Sequence, residues 1–439
     1  MRNNMSNSQS HFNKDVIFIV PHYINSLKYY DKIYILLKEY DIEIIFIIKN
    51  DNEMIKYCEK HERKYQILDF YVFNKYNYIF EPVLRYKLKR NVRKIFKIFK
   101  PKLILQPNDM KIYNDIIVKV AKEHNVITLA LQWAITLPEK VYFENRQKKL
   151  NQLYLNKSIY KIIIIKFINK ILKIIHYLLN HFFRVNSNHK LSLGQGDSDY
   201  IGVINNYTKN LLITQGVSKE KIRVLGSFHY DDALNIKREF KKPIKKSDDG
   251  GKSKVQILFI SQPFYKKDIT ILSLEKQLKY IKDLIINLDN FFENLNKKYI
   301  LLIKLHPVEN IKDYEDFLKH KNIKLISIAD NNELILSSDF CISQYSTVMQ
   351  SVIILRKPLL SLNILGLKEI KIGSNVLGVK KCINTWEELH YVLNQLEEKD
   401  YNYFDNINYD RVLMDGNCYN RVVNLIFDLV KITKNRIKP

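Results

Sequence analysis

Two short blocks hold the residue types best suited to chemistry. In Asp339-Phe-Cys-Ile-Ser-Gln-Tyr-Ser-Thr347 an apolar run of strand length ends in three hydroxyls, Ser343, Ser346 and Thr347, where a helical pattern begins. The first amides of a helix lack intrahelical partners and sit at the positive end of its dipole, so hydroxyls placed there make an anion site. A nucleotide phosphate suits such a site; an ordinary N-cap at Ser346 or Thr347 is the plainer use of the same residues. In Leu301-Leu-Ile-Lys-Leu-His-Pro-Val-Glu309, His306 stands where a strand opens into a loop, and Pro307 biases it towards extended backbone. A histidine so placed can donate to a phosphate, act as an acid near neutral pH, or simply tether the loop. Glu309 could meet ribose hydroxyls or stand as a solvated loop carboxylate, and Lys304 suits a cleft rim or sheet edge.

These blocks need strands to present them, and the chain supplies two series. Residues 16–20, 42–48, 103–105, 126–131, 200–204 and 222–225 are short apolar runs, each closed by polar residues and alternating with helical patterns. Such runs predict a parallel sheet covered on both faces. A Lys-, Asp-, Gly- and Ser-rich stretch at 237–254 predicts a linker. The second series runs through 255–260, which ends in Ser261-Gln262-Pro263, then 299–305, 323–326, 339–342 and 358–362. The expected organisation is a disordered 1–13, a first Rossmann-like α/β domain over 14–236, and a second over 255–418. A final helix over 419–439 returns to the first domain. The C-terminal ends of two such sheets form a cleft, where ligands of doubly wound folds bind.

Composition narrows the partners. The 439 residues carry 71 Lys and Arg against 46 Asp and Glu, a net charge of +25, with 46% hydrophobic residues. That balance fits folded domains and excludes disordered or collagen-like chains. The positive charge is concentrated: Arg85 to Lys102 holds nine basic residues and no acid, and Tyr142 to Lys190 holds ten with Glu144 the only acid. Such stretches attract polyanions. The second one interleaves Ile, Leu and Phe with Lys161, Lys166, Lys170 and Lys173, which prevent an 18-residue apolar run. An amphipathic helix on an anionic membrane surface, over about 155–185, is the expectation, against a helix packed on its own domain. No zinc-finger, RNP-like or helix-turn-helix pattern accompanies the charge, so nucleic acid is not an expected partner. Cys58, Cys341, Cys382 and Cys418 are too scattered for a disulfide framework or zinc site. With no visible signal peptide, the expected location is the cytoplasm, peripheral at the inner face of the cell membrane.

The order Ser-Gln-Pro, Lys-x-His-Pro, Ser-Gln-x-Ser-Thr and Arg-Lys-Pro-x-x-Ser, over residues 261–361, resembles the nucleotide-binding domain of GT-B glycosyltransferases. More narrowly it resembles the capsule-polysaccharide and sialyl- and polysialyltransferase-like group. CDP-glycerol glycerophosphotransferases and UDP-N-acetylglucosamine 2-epimerases share that architecture. Val217–Ser227 looks like the end of the first domain in that superfamily, and Asp415-Gly416-Asn417-Cys418-Tyr-Asn-Arg421 like its closing turn. The resemblance implies two domains of GT-B type and a CMP- or UDP-linked nucleotide sugar bound by Ser261, Gln262, His306, Pro307, Glu309, Ser343, Ser346 and Thr347. It implies transfer of the sugar to a polysaccharide or lipid-linked acceptor, without metal or cofactor.

An acidic Asp/Glu-Asp/Glu-Gly motif bearing the base in sialyltransferase-like relatives has no convincing match, and Asp248-Asp249-Gly250 lies in the linker. A transferase needs a group to take the acceptor's proton. Candidates at first-domain strand ends are Asp109, taken first, then His22, with Asp51 and Glu139 behind them, although turn or cap duty suits each. Trp133 could stack on a sugar. A 2-epimerase, which would not need the basic Ile-rich segment, and a non-catalytic scaffold are the rival readings.

Overall fold

The computed structural model describes residues 14–69, 81–109, 112–132, 159–183, 193–239, 254–266, 272–398, 403–411, 413 and 415–437. Residues 1–13, nearly all of the expected linker, Trp133 and Glu139 lie outside them.

Each apolar run becomes a strand because it can bury both faces. The first sheet holds β1 (Asp15–Ile19), β2 (Ile42–Ile48), β3 (Tyr65–Ile67), β4 (Leu103–Gln106), β5 (Ile127–Leu131), β6 (Tyr200–Val203) and β7 (Ile222–Val224). Their order is β3-β2-β1-β4-β5-β6-β7, all parallel. The second sheet holds β8 (Val255–Ile260), β9 (Tyr299–Lys304), β10 (Ile323–Ile326), β11 (Phe340–Ser343) and β12 (Leu359–Ser361), in the parallel order β10-β9-β8-β11-β12. The expectation of two parallel-sheet α/β domains holds.

The period of two shows in β1. Ile17 and Ile19 meet Leu27 and Tyr30 of the Ile24–Leu37 helix and Val422 and Ile426 of the Cys418–Ile437 helix. Phe18 and Val20 face the other way, onto Leu88 and Val92 of the Glu81–Phe99 helix and Ile117 of the Ile112–Glu123 helix. The second sheet is clothed in the same way. Leu258 and Ile260 pack with Met349 and Val352, and Ile257 and Phe259 with Leu284 and Leu288 of the Leu274–Asn294 helix.

Two helices link the halves. The Cys418–Ile437 helix, although it follows the second sheet in the chain, lies in the first domain's core. The Phe228–Glu239 helix places Phe228 in that core and Tyr230 and Ala233 in the second domain's core.

The Ile159–Phe182 helix packs on the Glu81–Phe99 helix. His176 is buried there, 3.6 Å from Glu81, and Phe183 lies tilted against Tyr86, ring centres 5.4 Å apart. Outward, Ile168, Ile171, Ile174, Ile175, Tyr177, Leu178 and Phe182 are exposed, Tyr177 by 70% and Phe182 by 77%. Among the described residues no helix is long and apolar enough to cross a membrane. All four cysteines are free and buried.

Candidate functional site

In an open parallel sheet the chain winds outward from one strand to one side and then returns to fill the other side, leaving a crevice beyond the strand ends where the order reverses. The reversal falls between β1 and β4 in the first sheet and between β8 and β11 in the second. The residues singled out by sequence sit at these two points: His22 follows β1, Asp109 follows β4, Ser261 and Gln262 follow β8, and Ser343 ends β11. His306 follows β9, beside β8, so two strand spacings, ~10 Å, separate its strand from that of Ser343. Burial, and to a lesser degree the charges of Asp232 and of Asp330 in the second domain, raises the pKa of the Tyr29 phenol of the first.

In the second domain, Ser343 is fully buried, and its hydroxyl has no hydrogen-bond partner among the described residues. Buried polar atoms are nearly always paired, so a hydroxyl left so at a reversal point is suited to a ligand. Ser346 is buried, and its Oγ accepts from Val348 N at 3.3 Å; Thr347 opens the Val348–Ile354 helix, exposed and with no side-chain cap bond. Thr347 is therefore not the ordinary cap its position allowed. Behind the loop, Ser374 joins the Gln344 carbonyl (3.1 Å) to the Ser361 hydroxyl (2.8 Å), locking it to β12.

His306 is half-buried. Its Nδ1 accepts from Val308 N at 3.3 Å, which places the proton of the neutral ring on Nε2. Glu309 organises this corner. One oxygen accepts from the His306 amide at 2.7 Å; the other accepts from Ser261 Oγ at 3.0 Å, Gln277 Nε2 at 2.8 Å and the Tyr314 hydroxyl. Ser261 and Glu309, both read as nucleotide contacts, are thus bonded to one another. With four protein donors on its carboxylate, Glu309 fastens the ends of β8 and β9. Nothing in the sequence marked Gln277 and Tyr314 as its partners: Gln277 lies in a helix 32 positions before Glu309, and Tyr314 in a 3₁₀ segment that begins just after it. Gln262 is buried and Pro307 exposed. Lys304 turns inward: its Nζ donates to the carbonyls of Leu305 and Ser327, both at 2.9 Å, and burial lowers its pKa.

In the first domain, Asp109 is fully buried. Its Oδ1 accepts from the Gly194 amide at 2.9 Å, and burial raises its pKa. A Cβ on Gly196 would come within 2.5 Å of the carboxylate, so only glycine closes over it. His22 is also buried, its amide bonded to Ser26 Oγ at 3.0 Å and its ring edge-on to Tyr113 at 4.9 Å. Asp51 is exposed and caps the Asn52–Lys60 helix, accepting from Glu53 N and Met54 N. Lys49, Tyr23 and Tyr113, which the motifs did not mark, cluster beside His22.

The two boundary motifs clasp each other. The Arg421 guanidinium holds Asp415 through two bonds, 2.6 and 3.0 Å, and donates from Nε to the Leu225 carbonyl at 2.8 Å. Gly226, at φ +92°, lies under that guanidinium, where a Cβ would come within 2.8 Å. Asp231 accepts from the Tyr419 amide at 3.1 Å at the start of the last helix.

Two parallel-sheet α/β domains with polar, hydroxyl-rich strand ends in the second half are the class these features define, and comparison with known proteins gives the family within it. The chain belongs to the CDP-glycerol:poly(glycerophosphate) glycerophosphotransferase family, whose pattern matches residues 72–364. Over 84 residues it is 37% identical to the teichoic acid poly(glycerol phosphate) polymerase of Staphylococcus epidermidis, a stretch covering 18% of this chain and 11% of that protein. Among solved structures it is similar in fold to S. aureus MnaA with UDP (TM-score 0.55, 15% identity, 95% of this chain and 97% of that one). Similar too are the Neisseria meningitidis UDP-GlcNAc 2-epimerase bound to UDP-GlcNAc (0.57, 14%, 94% and 100%) and a Rickettsia africae glycosyltransferase (0.52, 13%, 96% and 99%). At these identities the likeness establishes the fold. The matched family is the glycerophosphotransferases; the capsule and polysialyltransferase-like group named from the motifs is not the one matched.

Proposed function

We propose that this chain transfers a glycerophosphate unit from CDP-glycerol, bound by the second domain, to the terminal hydroxyl of a polyol-phosphate or lipid-linked acceptor on the first. The family match carries the reading, since it spans Asp109, His306 and the Ser343–Thr347 loop. It replaces the sugar of the motif-based expectation by a polyol phosphate and the expected CMP- or UDP-linked donor by a CDP-linked one.

In this reaction the acceptor oxygen attacks the β-phosphorus of CDP-glycerol. The bond from that phosphorus to the bridging oxygen breaks, CMP leaves with the electron pair, and the acceptor's proton passes to a base. The His306 Nε2–H and the hydroxyls of Ser343, Ser346 and Thr347 neutralise charge on the phosphates, with no metal in that role. His22 suits the base better than Asp109, whose carboxylate is shut in beneath Gly194 and Gly196.

The outward face of the Ile159–Phe182 helix lies on the membrane, with Ile174, Leu178 and Phe182 entering the acyl boundary and the exposed Lys170 and Lys173 at the headgroups. On this reading the enzyme works peripherally at the inner membrane face, where a lipid-linked acceptor resides.

Thermal-shift titration with CMP, CDP, UDP, GDP and ADP tests the donor site. Selective stabilisation by cytidine nucleotides, absent in His306→Ala, is expected; no shift with any nucleotide would overturn the placement. Co-sedimentation with phosphatidylglycerol vesicles should fall on Ile174→Ser with Phe182→Ser, and undiminished binding would remove the helix from the membrane role.

A further inference from the structure

At the end of β2, the Lys49 ammonium lies 4.9 Å from the ring centre of Tyr23 and 5.8 Å from that of Tyr113. Lys49 and Tyr23 follow β2 and β1, and Tyr113 stands in the first turn of the Ile112–Glu123 helix that follows β4, around the first sheet's reversal point, where His22 packs edge-on to Tyr113. Tyr23 is 56% exposed, yet it is not loose. Its amide is bonded to Ser26 Oγ at 3.1 Å, and that hydroxyl donates back to the Tyr23 carbonyl at 2.8 Å. These bonds fix the backbone that carries the exposed ring, which lowers the ordering a ligand must impose there.

The electrostatics point the same way. Tyr23 is the N-cap of the 14-residue Ile24–Leu37 helix, whose first turn carries no acidic residue. The neighbouring helix, after β2, is closed by its own Asp51 carboxylate. The helix start, which carries no acidic residue, and the Lys49 ammonium therefore set two sources of positive potential on one spot, beside an exposed aromatic face. A lysine with an amide end binds a phosphate oxygen, and a tyrosine face covers the carbon side of a polyol.

We propose that Lys49, Tyr23 and Tyr113, with the amide end of the Ile24–Leu37 helix, form a subsite for the last phosphodiester of a polyol-phosphate acceptor. Its terminal hydroxyl then lies beside His22. The assignment rests on the reaction proposed above and adds the residues that recognise the acceptor.

The test uses the full chain and a synthetic glycerol-phosphate trimer. Binding of the trimer, measured by calorimetry without donor, should weaken about tenfold or more in Lys49→Ala and recover in Lys49→Arg. In turnover with CDP-glycerol, the KM for the trimer should rise by a similar factor while the KM for CDP-glycerol stays within about twofold. Unchanged trimer affinity in Lys49→Ala overturns the subsite, as does an equal loss for trimer and donor. Phosphatidylglycerol vesicles form a second arm: loss of vesicle binding in Lys49→Ala with trimer binding intact assigns the lysine to lipid headgroups and overturns the proposal. If wild type binds the trimer through Lys49 yet neither binds nor uses CDP-glycerol, the donor reading fails and the subsite stands. Equal melting temperatures of wild type and Lys49→Ala separate these outcomes from misfolding.

Discussion

The two reversal points occupy equivalent places in their sheets and are built by different physics. In the second domain the strand ends are tied by hydrogen bonds that converge on one carboxylate, Glu309, and on the Ser361–Ser374–Gln344 chain. In the first domain the corresponding ends carry packed rings, a lysine over aromatic faces and one buried acid. A polar network fixes donors to within tenths of an ångström, which suits a small and invariant diphosphate. Aromatic faces hold their partner less directionally, which suits the repeating units of a polymer.

Removing His306 tests the polar half most severely. His306→Ala is expected to lower kcat by about 10²–10⁴-fold and to abolish cytidine stabilisation, with the fold retained; steady-state kinetics and melting curves check this. Glu309→Ala leaves Ser261, Gln277, Tyr314 and the His306 amide without their acceptor, and should destabilise the chain by about 3 kcal/mol or more in urea unfolding. Glu309→Gln should lose about half as much, because the amide keeps one acceptor oxygen. Equal small losses for both variants would make the network incidental.

Asp109 tests the aromatic half by splitting geometry from charge. Asp109→Ala should lose about 1–3 kcal/mol through the orphaned Gly194 amide, whereas Asp109→Asn keeps an acceptor and stays within about 1 kcal/mol of wild type near pH 7. Burial raises the folded-state pKa of Asp109 above its unfolded value, so its favourable contribution is fully present below the unfolded pKa and is lost as pH rises through the folded one. The advantage of Asp109→Asn over wild type should therefore shrink as pH falls towards the ordinary carboxylate range, read by urea midpoints across pH. Retained turnover in Asp109→Asn leaves His22 as base, and lost turnover with an intact fold returns that role to Asp109.

The smallest effect belongs to the clasp between the halves. Arg421→Lys loses the two-pronged hold on Asp415, a partly solvated pair, and should change the melting free energy by less than about 1 kcal/mol. The Asp415 pKa is lowered, chiefly by that guanidinium, so whatever the pair contributes is present above the unfolded carboxylate pKa and fades as pH falls through the folded one. A larger change would show that the two halves depend on this junction for their relative placement.

Much of this was legible in the chain itself. Runs such as Ile42–Ile48 and Val255–Ile260 are apolar at every other position and beyond, and only a parallel sheet covered on both faces buries them so fully. Polar residues immediately after such runs mark strand ends, which is why His22, Asp109, His306 and Ser343 could be named from their places in the chain, whereas Ser261 entered through the resemblance to a family. What each does there was settled by contacts between residues far apart in sequence. Glu309 meets Ser261 across 48 positions and Gln277 across 32, Asp109 meets Gly194 across 85, and Arg421 meets the Leu225 carbonyl across 196. Local periodicity determined which segments became strands, because burial of alternating or continuous apolar faces depends on neighbours in the chain. Only the tertiary structure decided which carboxylate ties loops together and which lysine lies over an aromatic pair, because a charge takes its role from the donors and rings that folding brings beside it.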